Sequence, residues 1–214
     1  EGKADKIQDT PKEDNILCAS CEKRFALIEH YFSLKLLSIH NYSNQKDKFK
    51  IHSDGTNNTL ECLNIKNEAL LLFNYSLIWK VSISNLYEFL KMKMPNSVEE
   101  DIRKFLNANL KNTHLELLES FNQINNVPEF DCFTFKCNTT NEFTRGIFTA
   151  YEFAKNSFGI FLVDIVIFIY LDKGTVPNDF SIIKNIATKN ALISLATPKE
   201  WKVLNNGPLR NIGK

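Results

Sequence analysis

Apolar residues recur along this chain at spacings of three and four, the period of a helix with one buried face. A first helix is predicted from "TPKE", where Thr10 caps, Pro11 takes the first helical position and Glu13 closes a capping box. Its seam is Cys21, Phe25, Ile28, Phe32, Leu36 and Ile39, fading at Asn41 to Asn44. The linker "NQKDKFKIHSDGTNN" is polar and carries a turn signal at Asp54-Gly55. A second helix is predicted over 59–94, stopped by Pro95. A third opens at "SVEE", with Ser97 and Glu100 as a capping box, and ends near Asn126. The loop "PEFDCFTFKCNTT" holds a short alternating piece, "FTFKC", too brief to found a sheet. A fourth helix is predicted over 141–172, with the seam Phe143, Ile147, Ala150, Ala154, Phe158, Phe161, Ile165 and Phe168 and Gly174 as C-cap. A shorter fifth spans 178–196.

Four segments of about 30 residues would each be ~45 Å long. Their connections are short to moderate, which favours an antiparallel up-down arrangement. The expected fold class is all-α: an antiparallel four-helix bundle of long helices with a shorter fifth C-terminal helix. The expected domain is one unit over 1–214, with a disordered arm at 1–10 and a frayed tail at 205–214.

The stretch "FGIFLVDIVIFIYLD", Phe158 to Asp172, tests this reading most sharply. A spanning helix needs ~20 apolar residues. This run is shorter and Asp164 interrupts it, so it does not read as a membrane span. The seam from Phe143 continues through it, which favours a helix over a strand. Such a helix is apolar nearly all round and must be covered all round. The fifth helix, with Ile182, Ile183, Ile186 and Ile193, is the expected cover.

Polar residues recur inside the predicted seams: Asn67 and Asn74 in the second helix, Asn109, Thr113 and Ser120 in the third, Asp164 in the fourth. Each costs about 1–3 kcal/mol if buried without a partner. One reading pairs them across the bundle to hold its register. Another makes them switch residues in a bundle that opens, or the lining of a ligand cavity.

Composition narrows the classes. The 214 residues are 43% hydrophobic and 24% charged, the balance of a globular protein. A net charge of +1 supplies no nucleic-acid or polybasic membrane footprint. Gly is scarce at 7, Pro at 6, and Phe reaches 17, while Asn and Ile are abundant, the residues of AT-rich codons. The chain opens at Glu1 instead of Met with no visible targeting segment, which is expected either of a piece cut for expression or of a chain whose signal peptide has been removed.

Five cysteines invite three readings: a zinc site joining Cys18 and Cys21 to Cys132 and Cys137, a redox pair at Cys18-x-x-Cys21, or disulfides in a secreted helical protein. In an up-down bundle Cys62, Cys132 and Cys137 share one end, far from Cys18 and Cys21. The bundle therefore favours a disulfide of Cys62 with Cys132 or Cys137 in an oxidising compartment. It disfavours the zinc site, and the redox reading lacks its strand-loop-helix setting. Cys18 and Cys21 are left free or paired with each other. Histidines at 30, 40, 52 and 114 form no metal or catalytic spacing, and no Gly-x-Ser-x-Gly or phosphate-binding loop exists. No catalytic residue, metal site or cofactor is expected, and the chain is read as a non-enzyme and a monomer.

In composition, chain start, length and expected helical bundle with polar core residues, the chain resembles the small non-perforin sporozoite proteins essential for cell traversal in malaria parasites. The resemblance implies a secreted, micronemal, non-enzymatic protein that assists breach of host membranes beside a perforin-like pore-forming protein. It brings no site residues. Two alternatives from other classes stand beside it: a soluble adhesion or complex subunit, and a carrier of a small apolar ligand.

Overall fold

The computed structural model describes residues 16–55, 57–124, 126–137, 148–162, 164–177, 183, 188–197 and 199–201. Four α-helices and seven strands lie among them: α1 (Ala19–His40), β1 (Phe49–Ser53), β2 (Asn58–Lys66), α2 (Asn67–Ile83), α3 (Asn96–Asn109), α4 (His114–Ser120), β3 (Asp131–Cys137), β4 (Phe148–Ala154), β5 (Ser157–Leu162), β6 (Ile165–Tyr170) and β7 (Asn190–Ala196). The strands form one sheet in the order β1-β2-β7-β3-β6-β5-β4. Only the β3–β7 pairing is parallel. It joins an antiparallel group β1-β2-β7 to an antiparallel group β3-β6-β5-β4.

The expected four-helix bundle is therefore overturned: the fold is mixed, with helices packed on a seven-stranded sheet. The stretch from Phe158 to Asp172 is a hairpin, with Phe158↔Ile169 and Ile160↔Ile167 paired across it and Asp164 in the turn. The reason lies in burial on both faces. Phe158, Ile160, Ile165, Ile167 and Ile169 face the helices, while Phe161, Val166, Phe168 and Tyr170 pack on the other side. A strand apolar on both faces loses its alternation and satisfies a helical seam as easily. Its β-branched and aromatic content was the better signal.

Other boundaries shift for local reasons. The expected second helix splits into β2 and α2, which abut at Lys66 and Asn67. Its β2 half alternates Leu60 and Cys62 inward on the helix side with Thr59 and Glu61 on the other face. The expected third helix breaks after Asn109 and restarts at His114, capped by Thr113 and Glu116 in a capping box. At the start of α3 the cap position is Pro95, without a side-chain cap bond, instead of the expected Ser97. The "FTFKC" piece, expected to be marginal, lies in β3, between β7 and β6. The expected fourth helix is β4, β5 and β6 where described. The second part of the expected fifth helix is β7, and its first part, apart from Ile183, lies outside the described residues. So do the cap at Thr10, Pro11 and Glu13, the arm at 1–10 and the tail at 205–214.

The main core lies between helices and sheet. Ile28, Phe32 and Ile39 of α1 and Leu72, Tyr75 and Ile78 of α2 are fully buried there, with Leu60, Ile193 and Ile169 from the sheet. Phe32 stacks on Phe73 at 4.4 Å. A second, aromatic cluster covers the opposite face, with Phe133, Tyr151, Phe161, Phe168, Tyr170 and Trp201. Gly159 sits opposite Phe168 in the register; a Cβ there would meet the ring at 3.1 Å, so a larger residue would push the ring aside from its place across β5. The β4–β5 turn is closed by Asn156 at φ 59, a left-handed conformation that Asn tolerates.

Candidate functional site

The first helix begins with a thiol. The earliest α-helical bond of α1 runs from Glu22 N–H to the Cys18 carbonyl at 3.0 Å, which makes Cys18 the N-cap residue. Ser, Thr, Asp or Asn normally holds this position, because a side-chain oxygen there accepts a free amide of the first turn. Here the Cys18 sulfur takes that role: Cys21 N–H donates to Sγ at 3.4 Å. The Ser20 hydroxyl lies 3.1 Å from the same sulfur. These donors favour the thiolate, and the Cys18 thiol falls from 9.0 to about 7, with the Ser20 hydroxyl as the largest cause and the Cys21 thiol next. Cys21 moves the other way. Its bond to Cys18, and then burial, raise its thiol, and the weaker pull of the Arg24 charge does not reverse this. The pair is thus asymmetric: Cys18 is exposed and acidic, Cys21 half-buried and less so.

Behind Cys21 lies a small cavity of about 110 Å³. Leu17 and Phe25 line it from the α1 side, Trp79 from α2, and Leu106 and Leu110 from α3 and its end. Phe25 and Trp79 stack at 5.8 Å with nearly parallel rings. Arg24 holds these walls together. Its guanidinium donates to the Leu110 carbonyl at 3.2 and 2.5 Å, the Asn107 carbonyl at 2.6 Å and Asn107 Oδ1 at 2.9 Å. A cation on the last carbonyls of α3 satisfies groups the helix cannot and complements its dipole. Arg103, also on the rim, is held by Glu100 at 2.6 and 2.8 Å.

The residues singled out from sequence lie elsewhere. Cys62 and Cys132 sit on β2 and β3 with β7 between them. Two strand spacings are about 9–10 Å, beyond the ~4.4–6.8 Å Cα separation of a disulfide. Cys137 ends β3, packed in the aromatic cluster on the other face. All five cysteines are free thiols. Burial pushes Cys62 and Cys132 up to about 12.

Among the polar positions, Asn74 joins α2 to β3 in the core: its amide donates to Thr134 Oγ1 at 2.9 Å and to Cys132 Sγ at 3.5 Å. Asn109 and Ser120 bond carbonyls of their own helices, Phe105 and Leu117. Asn67 is exposed at the start of α2, and Thr113 is the exposed cap of α4. Asp164 meets the buried Lys136 at 3.3 Å, beside the β5–β6 turn. These six do not converge, so the structure assembles no shared switch from them.

A second polar cluster escaped the sequence reading. Glu61 accepts from Thr188 Oγ1 and Asn190 Nδ2, both at 2.7 Å, and its other oxygen lies 2.7 Å from His52 Nε2. Those bonds hold its carboxyl at about 2, the Thr188 hydroxyl contributing most. Its partners are brought together by strand pairing, and no spacing in the sequence announces them. The Cys18-x-x-Cys21 spacing, in contrast, was legible; what was missing was the cap position that gives it chemistry. Among the described residues no group of His, Cys, Asp and Glu side chains is placed to hold a metal ion. Comparisons with protein-family models, curated proteins and solved structures found no match.

Proposed function

We propose that Cys18 and Cys21 form a dithiol that exchanges with disulfides of a partner. The observation that carries this is the exposed Cys18 sulfur at the helix cap, with Cys21 one turn behind it. The Cys18 thiolate attacks one sulfur of the partner disulfide and releases the other as a thiolate. Cys21, on losing its proton to solvent, attacks the Cys18 sulfur and expels the remaining partner thiolate. The partner gains two electrons and, with two protons from solvent, becomes a dithiol; Cys18 and Cys21 become a disulfide. A small thiol or dithiol resets the pair by the reverse exchange. A thiol near pH 7 in its ionisation suits this work, because it combines thiolate population with nucleophilicity.

The traversal reading began from a different fold. The traversal role implied by the resemblance drew its mechanism from a helical bundle that opens, and the helices here lie on a sheet covered on its other face by the aromatic cluster.

The test is a redox titration of the whole chain in dithiothreitol buffers, read by mass spectrometry of the Cys18–Cys21 peptide. A single two-electron transition is expected, abolished in Cys18→Ser. In Cys21→Ser a mixed disulfide with a model disulfide accumulates. Absence of any Cys18–Cys21 bond across all buffers overturns the proposal.

A further inference from the structure

We infer that the cavity beside Cys21 selects the partner: Cys18 exchanges fastest with polypeptide disulfides whose cysteine is flanked by an aliphatic residue. This rests on the dithiol reading. Continuity is the first argument. Cys21 is itself part of the wall, and Cys18 lies one turn away on the same helix start. A chain joined to the Cys18 sulfur advances only ~3.3–3.6 Å per residue, which puts the neighbour of its cysteine within reach of the wall that Cys21 and Leu17 form.

Size is the second argument. At about 110 Å³ the space is smaller than the ~150 Å³ that admits benzene in an engineered apolar cavity. One aliphatic side chain fits; a helix or an acyl chain does not. The third argument is chemistry. Leu17, Phe25, Trp79, Leu106 and Leu110 present carbon to the space. The two cations at its rim are already engaged, Arg24 by carbonyls of Asn107 and Leu110 and Arg103 by the Glu100 carboxylate. Among the described residues that line the cavity, a small acidic thiol such as glutathione therefore meets no unpaired positive charge, whereas an apolar side chain gains burial.

The test uses the full chain carrying Cys21→Ser, reduced, with three probes: N-acetyl-Leu-Cys-amide, N-acetyl-Gly-Cys-amide and glutathione, each activated as its 2-thiopyridyl disulfide. Thiopyridone release reports attack by Cys18. The leucine probe is expected to react about tenfold faster than the glycine probe, the scale of burying one aliphatic side chain, with glutathione no faster than glycine. Leu17→Ser, at the rim, is expected to narrow the ratio of leucine to glycine. With Trp201→Phe present, Trp79 emission is expected to shift on forming the leucine adduct and not the glycine adduct, a readout that stands if Leu17→Ser fails to fold. Equal rates for all three probes, or no Trp79 shift, overturn this inference and leave the dithiol in place. Absence of release from every probe overturns the dithiol itself.

Discussion

The two sets of thiols in this protein differ in everything but their side chain. At the start of α1, Cys18 is exposed, and the Ser20 hydroxyl, then the Cys21 thiol and the Cys21 backbone amide, lower its thiol to about 7. In the sheet, Cys62 and Cys132 face the main core, where burial drives their thiols to about 12. The comparison teaches that reactivity here is a property of position. A helix end leaves groups of its first turn free to reach a sulfur; a strand uses its amides in the ladder, and at Cys132 burial outweighs the one amide, from Asn74, that reaches the sulfur.

The largest effect that can break this comparison is kinetic. With iodoacetamide at pH 7, Cys18 is expected to label at least about 10³-fold faster than Cys62 or Cys132 in the native chain, since the thiolate is the nucleophile. The Cys18 rate should climb with pH and level off above about 7. Equal time courses for the three thiols, resolved by peptide mass, would erase the distinction.

Next comes the core that insulates the sheet thiols. Ile167, 1% exposed, packs against the helices, and Ile167→Ala is expected to cost about 2–5 kcal/mol in urea unfolding. Leu34, 62% exposed on α1, should cost less than about 0.5 kcal/mol when cut to Ala. A loss from Leu34→Ala as large as that from Ile167→Ala would mean the helix layer is not where the structure places it.

A smaller effect concerns Glu61, a buried charge that, unlike Cys62 beside it, has partners. Glu61→Gln is expected to lose about 1–3 kcal/mol at pH 7. Because the folded carboxyl is lowered from 4.5 to about 2, its contribution is complete above the unfolded value and fades as pH falls through the folded one. Acid titration of the native chain should therefore show a loss of stability between about pH 4.5 and 2 that Glu61→Gln lacks. The smallest effect is at the other capped helix: Thr113→Ala should remove about 1 kcal/mol by breaking the capping box with Glu116. No change there would show that an oxygen cap matters less here than the sulfur cap of α1.

Legibility followed the period of burial. The α1 seam, Phe25, Ile28, Phe32 and Ile39, could be read because one face is buried and the rest is wet, so the period of 3.6 survives in the pattern. The stretch from Phe158 to Tyr170 could not, because both of its faces are covered and every position became apolar. The partners of Glu61 come from β1 and, some 130 residues on, from the first residue of β7 and the approach to it, and strand order brings them together. For the thiol pair the spacing was visible and the setting was not, since a cap is decided by where the helix starts.

By itself the sequence determined the apolar content that demands a core, the buried seam of the first helix though not its start, and the adjacency of Cys18 and Cys21. Only the tertiary structure decided that the most apolar stretch is a hairpin, that Cys62 and Cys132 stand two strands apart, and that Cys18 sits at a helix cap beside a side-chain-sized cavity. The physical reason is that a local pattern reports how many faces of a segment are buried, and strand order and helix ends are settled by what buries them.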